Sequence, residues 1–166
     1  MKGGTSSGND LQSQSATPGG EYLAFRLGEE EYCVDASKVR EIRSYEQPGA
    51  VANVPEFIKG VINLRGAIVP IVDMRIKFKL REVHYDELTA VVIVTVGDRL
   101  VGMVVDVVAD AIKLAPEGIL PAPQSTASVG VEYVIGQAQV GKRVLLLLDI
   151  DKLMTSKDMA LVHVMR

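Results

Sequence analysis

The chain has 166 residues, 23% of them charged and 48% hydrophobic, with a formal net charge of −3. That composition is globular, not disordered, and the length suits one domain or a fused pair of small subdomains. The acidic balance, without a dense basic patch, argues against nucleic acid as a partner, and a single cysteine excludes an intrachain disulfide and any cysteine-based metal spacing.

Met1 to Gly20 is polar and glycine-rich and reads as a flexible tail, without the apolar segment of a secretory signal. Three Phe and no Trp leave the core to Val, Ile and Leu, which favours strands. From Glu21 to Val34 the pattern predicts strand, Gly28-centred turn, strand. Cys33 falls there, in Tyr32-Cys33-Val34, as a small buried hydrophobe. Val39 to Tyr45 admits a helical turn or a strand, and if extended it puts Val39 and Glu41 on one ridge. Val54 to Lys59 predicts a short helical turn, with Asn53 as cap and Gly60 as exit. A hairpin follows, turning at Arg65-Gly66, and Pro70 marks an edge or bulge in its second strand. Asp73 then caps a turn, as Asp35 does before Ala36. The sequence Arg75-x-Lys77-x-Lys79-x-Arg81 reads as a solvated face.

The second half repeats this order. Strands are expected at Thr89–Val96 and Leu100–Val105 around Gly97-Asp98, then at Val107–Leu114. Ala115 to Val131 is a Pro- and Ser-rich loop. Tyr133–Val140 and Arg143–Leu148 pair across Gly141-Lys142, and Asp149 caps Ile150 to Met154. Ser156 to Arg166 is a packing segment, helical or extended. No apolar run spans a bilayer, so direct membrane insertion is not expected and the cytoplasm is the default location.

The repetition is explicit. Phe57-x-x-Gly60 leads to Asp73, and Tyr133-x-x-Gly136 leads to Asp149, with thirteen positions from glycine to aspartate in both and seventy-six between copies. Gly28 leads to Val39-x-Glu41 as Gly97 leads to Val108-x-Asp110. Units this small bury little alone, so the copies share an apolar interface. They predict a pair of small β-barrels, or a two-sheet sandwich with internal symmetry. Either offers a seam in which to bind something.

Catalytic chemistry is hard to assemble from these residues. His84 lies in a polar connector and His163 near the C-terminus, neither with metal-ligand spacing, and no nucleophile or phosphate-loop motif is present. No cofactor is expected. Asp35, Asp73 and Asp149 are the carboxylates a small hydrolase would need, but capping explains all three. Arg65 stands apart. Its counterpart in the repeat is Gly141, so symmetric packing does not require an arginine there. It reads as a solvated turn residue, a partner for Glu41, or an anchor for another protein.

The segments Glu21–Phe25, Gly28–Tyr32, Val39–Ile42 and above all Phe57–Asp73 (FIKGVINLRGAIVPIVD) closely resemble the CheW family of bacterial chemotaxis coupling proteins. The likeness runs from Glu21 through Gly136 to Met159-Ala160-Leu161. It implies an all-β fold of two SH3-like five-stranded β-barrels on a shared apolar core, with short helical segments. The CheW-like domain would span 21–155, with the second of two intertwined subdomains at roughly 88–150. It also implies a non-enzymatic adaptor linking the cytoplasmic tips of methyl-accepting chemoreceptors to the regulatory domain of the histidine kinase CheA. The receptor-binding positions carried over are Val39, Glu41, Gly60, Arg65 and Val108; kinase-contact residues are not assigned. A carboxylate hydrolase and a self-assembling structural protein are the alternatives.

Overall fold

A computed structural model describes residues 19–80, 82–122 and 131–155. The chain opens with a hairpin of β1 (Gly20–Leu27) and β2 (Glu30–Asp35), and a 3₁₀ turn at Ala36–Lys38 leads into β3 (Val39–Ser44). A second hairpin, β4 (Ile58–Leu64) and β5 (Ala67–Asp73), ends in the single helical turn α1 (Met74–Lys77). The third is β6 (Ala90–Val96) and β7 (Arg99–Val105), followed by β8 (Val107–Leu114) and the two-residue β9 (Ile119–Leu120). The last pairs β10 (Val134–Val140) with β11 (Arg143–Leu148) and closes in α2 (Ile150–Met154).

The strands form a six-stranded sheet ordered β8-β1-β2-β11-β10-β9 and a five-stranded sheet ordered β3-β6-β7-β5-β4. The orders are the same once the copies are aligned, with β3, β6, β7, β5 and β4 standing where β8, β1, β2, β11 and β10 stand. The register agrees: Val39 faces Val94 as Val108 faces Phe25, and Gly60 faces Ile71 as Gly136 faces Leu147, each glycine just past a bulge. The front hairpins are exchanged. β1–β2 joins the strands of the second copy through the parallel β2–β11 pairing, and β6–β7 joins those of the first through β5–β7.

The expected closed barrels do not form. Both sheets are mixed and open, nearer to the two-sheet alternative. Closure requires the edge strands to pair. At one edge of the larger sheet, β9 has two residues and is followed by Pro121, which has no N–H to extend a ladder. In the smaller sheet the free edge of β4 is met instead by an isolated bridge from Gly49 to Val61. Pro70 lies in β5 just before the residues that pair with β7, so its missing N–H interrupts no ladder there.

A central core lies between the sheets, with Phe25, Tyr32 and Leu148 from one and Val72, Val92 and Met103 from the other. Each sheet also covers a smaller cluster: Ala24, Cys33, Leu145 and Leu147 in one, Val69, Ile71, Ile93 and Val104 in the other. Strands buried on both faces explain the near-continuous apolar runs of β6 and β11. No helix among the described residues is long and apolar enough to cross a membrane. The N-terminal tail up to residue 18, Arg81, and the C-terminal segment 156–166, with His163 and Met159-Ala160-Leu161, lie outside the described residues.

Candidate functional site

All four hairpins turn through two residues. In three of them glycine comes first, at φ 62–64: Gly28, Gly97 and Gly141. The β4–β5 turn departs from this pattern. Arg65 comes first at φ 53 and Gly66 second at φ 90, the signature of a type I′ turn. An arginine in the left-handed region costs about 1–2 kcal/mol that a glycine would not incur. The Asn63 Oδ1 accepts the Gly66 N–H at 2.9 Å and holds the turn. The arginine side chain is 77% exposed, and its Nη1 donates to Glu41 Oε1 at 3.2 Å, while Arg43 Nε lies 3.6 Å from Oε2. Two of the readings of Arg65, a solvated turn and a pair with Glu41, are therefore both present. The pair joins the β4 end of the sheet to β3 at its opposite edge, so the sheet curls until its edges face each other. Between those edges opens a cleft lined by Arg43, Ser44, Glu46, Ile62 and Asn63 over Ile71 and Val91.

Of Val39–Tyr45, all but Tyr45 forms a strand, β3. Val39 and Glu41 are half-buried while Arg40 and Ile42 are exposed, although a bulge falls between the first two. Val108 occupies the same place in the other sheet, and both valines pack against the central core. The acid two positions on is also met by an arginine in each copy. Asp110 accepts from Arg143 Nη2 at 2.9 Å, and Arg143 also pairs with Glu31. The Arg143 hydrogen bond holds the Asp110 carboxyl below the usual carboxylate range.

Gly60 is not the exit of a helical turn; residues 54–57 form no helix, and Gly60 lies within β4 at φ 147. A Cβ there would stand 2.0 Å from the Gly49 carbonyl oxygen. What Gly60 provides is close packing of β4 on the Gly49 backbone.

The solvated face read at Arg75 and Lys77 is overturned. Arg75 is fully buried. Its Nε donates to Asp73 Oδ1 at 2.7 Å and Nη2 to Oδ2 at 3.1 Å, while Nη1 reaches Asp106 Oδ1 at 2.7 Å and the His84 carbonyl at 2.9 Å. Tyr85 donates to Asp73 at 2.6 Å and lies under the guanidinium. Lys77, also buried, sits over Phe57 and Tyr133, the two aromatic residues that begin the repeated motif. The signal was available by the criterion that singled out Arg65. The counterparts of Arg75 and Lys77 in the second copy are Asp151 and Leu153, so both cations break the echo.

The carboxylates of the hydrolase reading are occupied as caps. Asp35 accepts from Ser37 N, Asp73 from Arg75 N and Asp149 from Lys152 N. Among the described residues no cluster of His, Cys, Asp or Glu could hold a metal. His84 is exposed beside Glu82. Cys33 is buried as expected, which pushes its thiol up to about 12.

Residues 21–158 match the family model for the CheW-like domain. The chain is 51% identical over 146 residues to the chemotaxis protein CheW of Klebsiella aerogenes, covering 88% of each. It is 34% identical over 155 residues to that of Treponema pallidum, covering 91% of this chain and 87% of the relative. Among solved structures it superposes on the scaffolding protein TtCheW of Thermoanaerobacter tengcongensis with a TM-score of 0.77 at 26% identity, covering 84% of this chain and 95% of that one.

Proposed function

The chain belongs to the CheW-like domain family, and from that membership we propose how it does its work as a non-enzymatic chemotaxis scaffold. The family bridges chemoreceptors and the histidine kinase CheA. In this chain the receptor-binding set is Val39, Glu41, Gly60, Arg65 and Val108. It takes the cytoplasmic tip of a methyl-accepting chemoreceptor, a helical hairpin, by helix-in-groove recognition. Val39 and Val108 supply apolar walls, Arg65 the polar anchor, and Gly60 the close backbone packing that keeps β4 in place. The regulatory domain of CheA binds elsewhere on the same body, and the receptor's state reaches the kinase by a shift in population, not by bond-making.

The observation that carries this reading is Arg65: an exposed guanidinium on a strained turn, where the other three hairpins use glycine. Strain that packing does not need is a pointer to function. Arg65→Ala should keep the native circular dichroism spectrum and lose about ten-fold or more in affinity for a receptor-tip fragment, as expected for a charged interface anchor. Full binding by the folded variant takes Arg65 out of the site.

A further inference from the structure

Asp106 is the one residue between β7 and β8, where the chain leaves the five-stranded sheet and enters the six-stranded one. Three contacts hold it. Its backbone N–H donates to the Arg26 carbonyl at 3.1 Å, its Oδ2 accepts the Gly28 N–H at 2.7 Å, and its Oδ1 accepts from Arg75 Nη1 at 2.7 Å. The first two partners belong to the six-stranded sheet and its β1–β2 turn. The third is anchored at the end of β5 in the five-stranded sheet, where Arg75 is fixed by both oxygens of Asp73. A buried guanidinium with rigid, forked geometry thus ties the crossover to both sheets. Val108 is two residues past this corner, the second residue of β8.

Among the described residues the equivalent crossover in the first copy has no such buried tie. There, Lys38 pairs with Asp151 of α2, the lysine half-buried and the aspartate exposed. The corner leading to Val39 is therefore held by a pair that solvent reaches at both ends, and the corner leading to Val108 by a part-buried pair whose guanidinium is fully buried while Asp106 stays 32% exposed.

We propose that Arg75 and Asp106 are positioning residues for receptor recognition: they set where Val108 of one sheet stands relative to Arg65 and Glu41 of the other. The inference rests on the receptor-site reading above. The test uses the full chain and Asp106→Ala, which leaves Arg75 with Asp73 and the His84 carbonyl and so should fold. Asp106→Asn, which keeps the side-chain size and one acceptor, serves in its place where alanine unfolds the chain. Methyl NMR of the free protein should show the Val108 resonances displaced and those of Val39 unmoved. Titration with a purified receptor-tip fragment should show affinity falling several-fold. Combined with Val108→Ala, the loss should not grow beyond that of Val108→Ala alone; combined with Arg65→Ala, the two losses should multiply. Unmoved Val108 methyls, wild-type affinity, or losses that multiply equally with both partners would each overturn the positioning role. Wild-type binding by both Arg65→Ala and Val108→Ala would instead remove the receptor site itself, and the methyl spectra would still decide whether Asp106 places Val108.

Discussion

Gly60 and Arg65 lie on one hairpin and make opposite demands on the backbone. At Gly60, φ 147 and the Gly49 carbonyl leave no room for a Cβ. Gly60→Ala should cost more than about 1 kcal/mol in urea unfolding, because the native conformation excludes the new side chain. It should also weaken receptor binding by displacing the Pro48-Gly49 segment. At Arg65 a glycine would suit φ 53 better, and the exposed pair with Glu41 contributes little. Arg65→Gly should therefore stabilise the chain by about 0.5–1 kcal/mol while losing receptor affinity as Arg65→Ala does. A stability gain accompanied by a binding loss separates a functional arginine from a structural one. Cys33 gives a third check. The folded protein holds its proton up to about 12, against an ordinary 9.0, so that contribution to stability is intact below pH 9 and lost as pH rises towards about 12. A thiol reagent at pH 8 should leave native Cys33 unlabelled and react in step with global unfolding.

The elements are held at their corners and across their openings by ion pairs of very different kind. Arg75 and Asp73 are both fully buried, whereas Lys38 and Asp151 are not. Removing one partner of a buried pair leaves an uncompensated charge, so Arg75→Met should cost about 3–5 kcal/mol. Lys38→Ala should cost at most about 1 kcal/mol. Denaturant midpoints at one pH compare them directly, and equal losses would show that burial does not distinguish the two crossovers. Barrel closure, the natural expectation from short strands in two similar copies, does not occur because the edge strands of each sheet do not pair. Arg65–Glu41 and Arg143–Asp110 are side-chain pairs that reach the β3 edge of one sheet and the β8 edge of the other, where no backbone ladder closes the sheet. Strand periodicity and turn glycines do not encode whether a gap is crossed by a backbone bond or by a long side chain.

At the scale of the whole molecule the repeat was legible and its connectivity was not. The thirteen-residue spacing, the four turns and the aspartate caps follow from residues close together in sequence, and the family resemblance carried the function. The exchange of front hairpins leaves no such local trace, since β1–β2 has the same pattern whichever copy it joins. Arg75 was misread for a related reason: its partner Asp106 and its cover at Tyr85 lie beyond the local window, and three neighbouring cations suggest a solvated face. The exchange has a direct consequence. Each sheet draws strands from both sides of the connector near Asp86, and the parallel β5–β7 and β2–β11 pairings join the two copies. Neither copy can complete a sheet alone, and each would expose half of the central core. Fragments 19–86 and 87–155, expressed separately, should therefore give the narrow amide dispersion of unfolded chains, and should recover native dispersion when mixed at concentrations that favour association. Independent folding of either fragment would mean that a front hairpin can close on its own copy, and that the interleaving of the sheets is a product of covalent linkage rather than of the packing that Phe25, Tyr32, Val92 and Met103 provide.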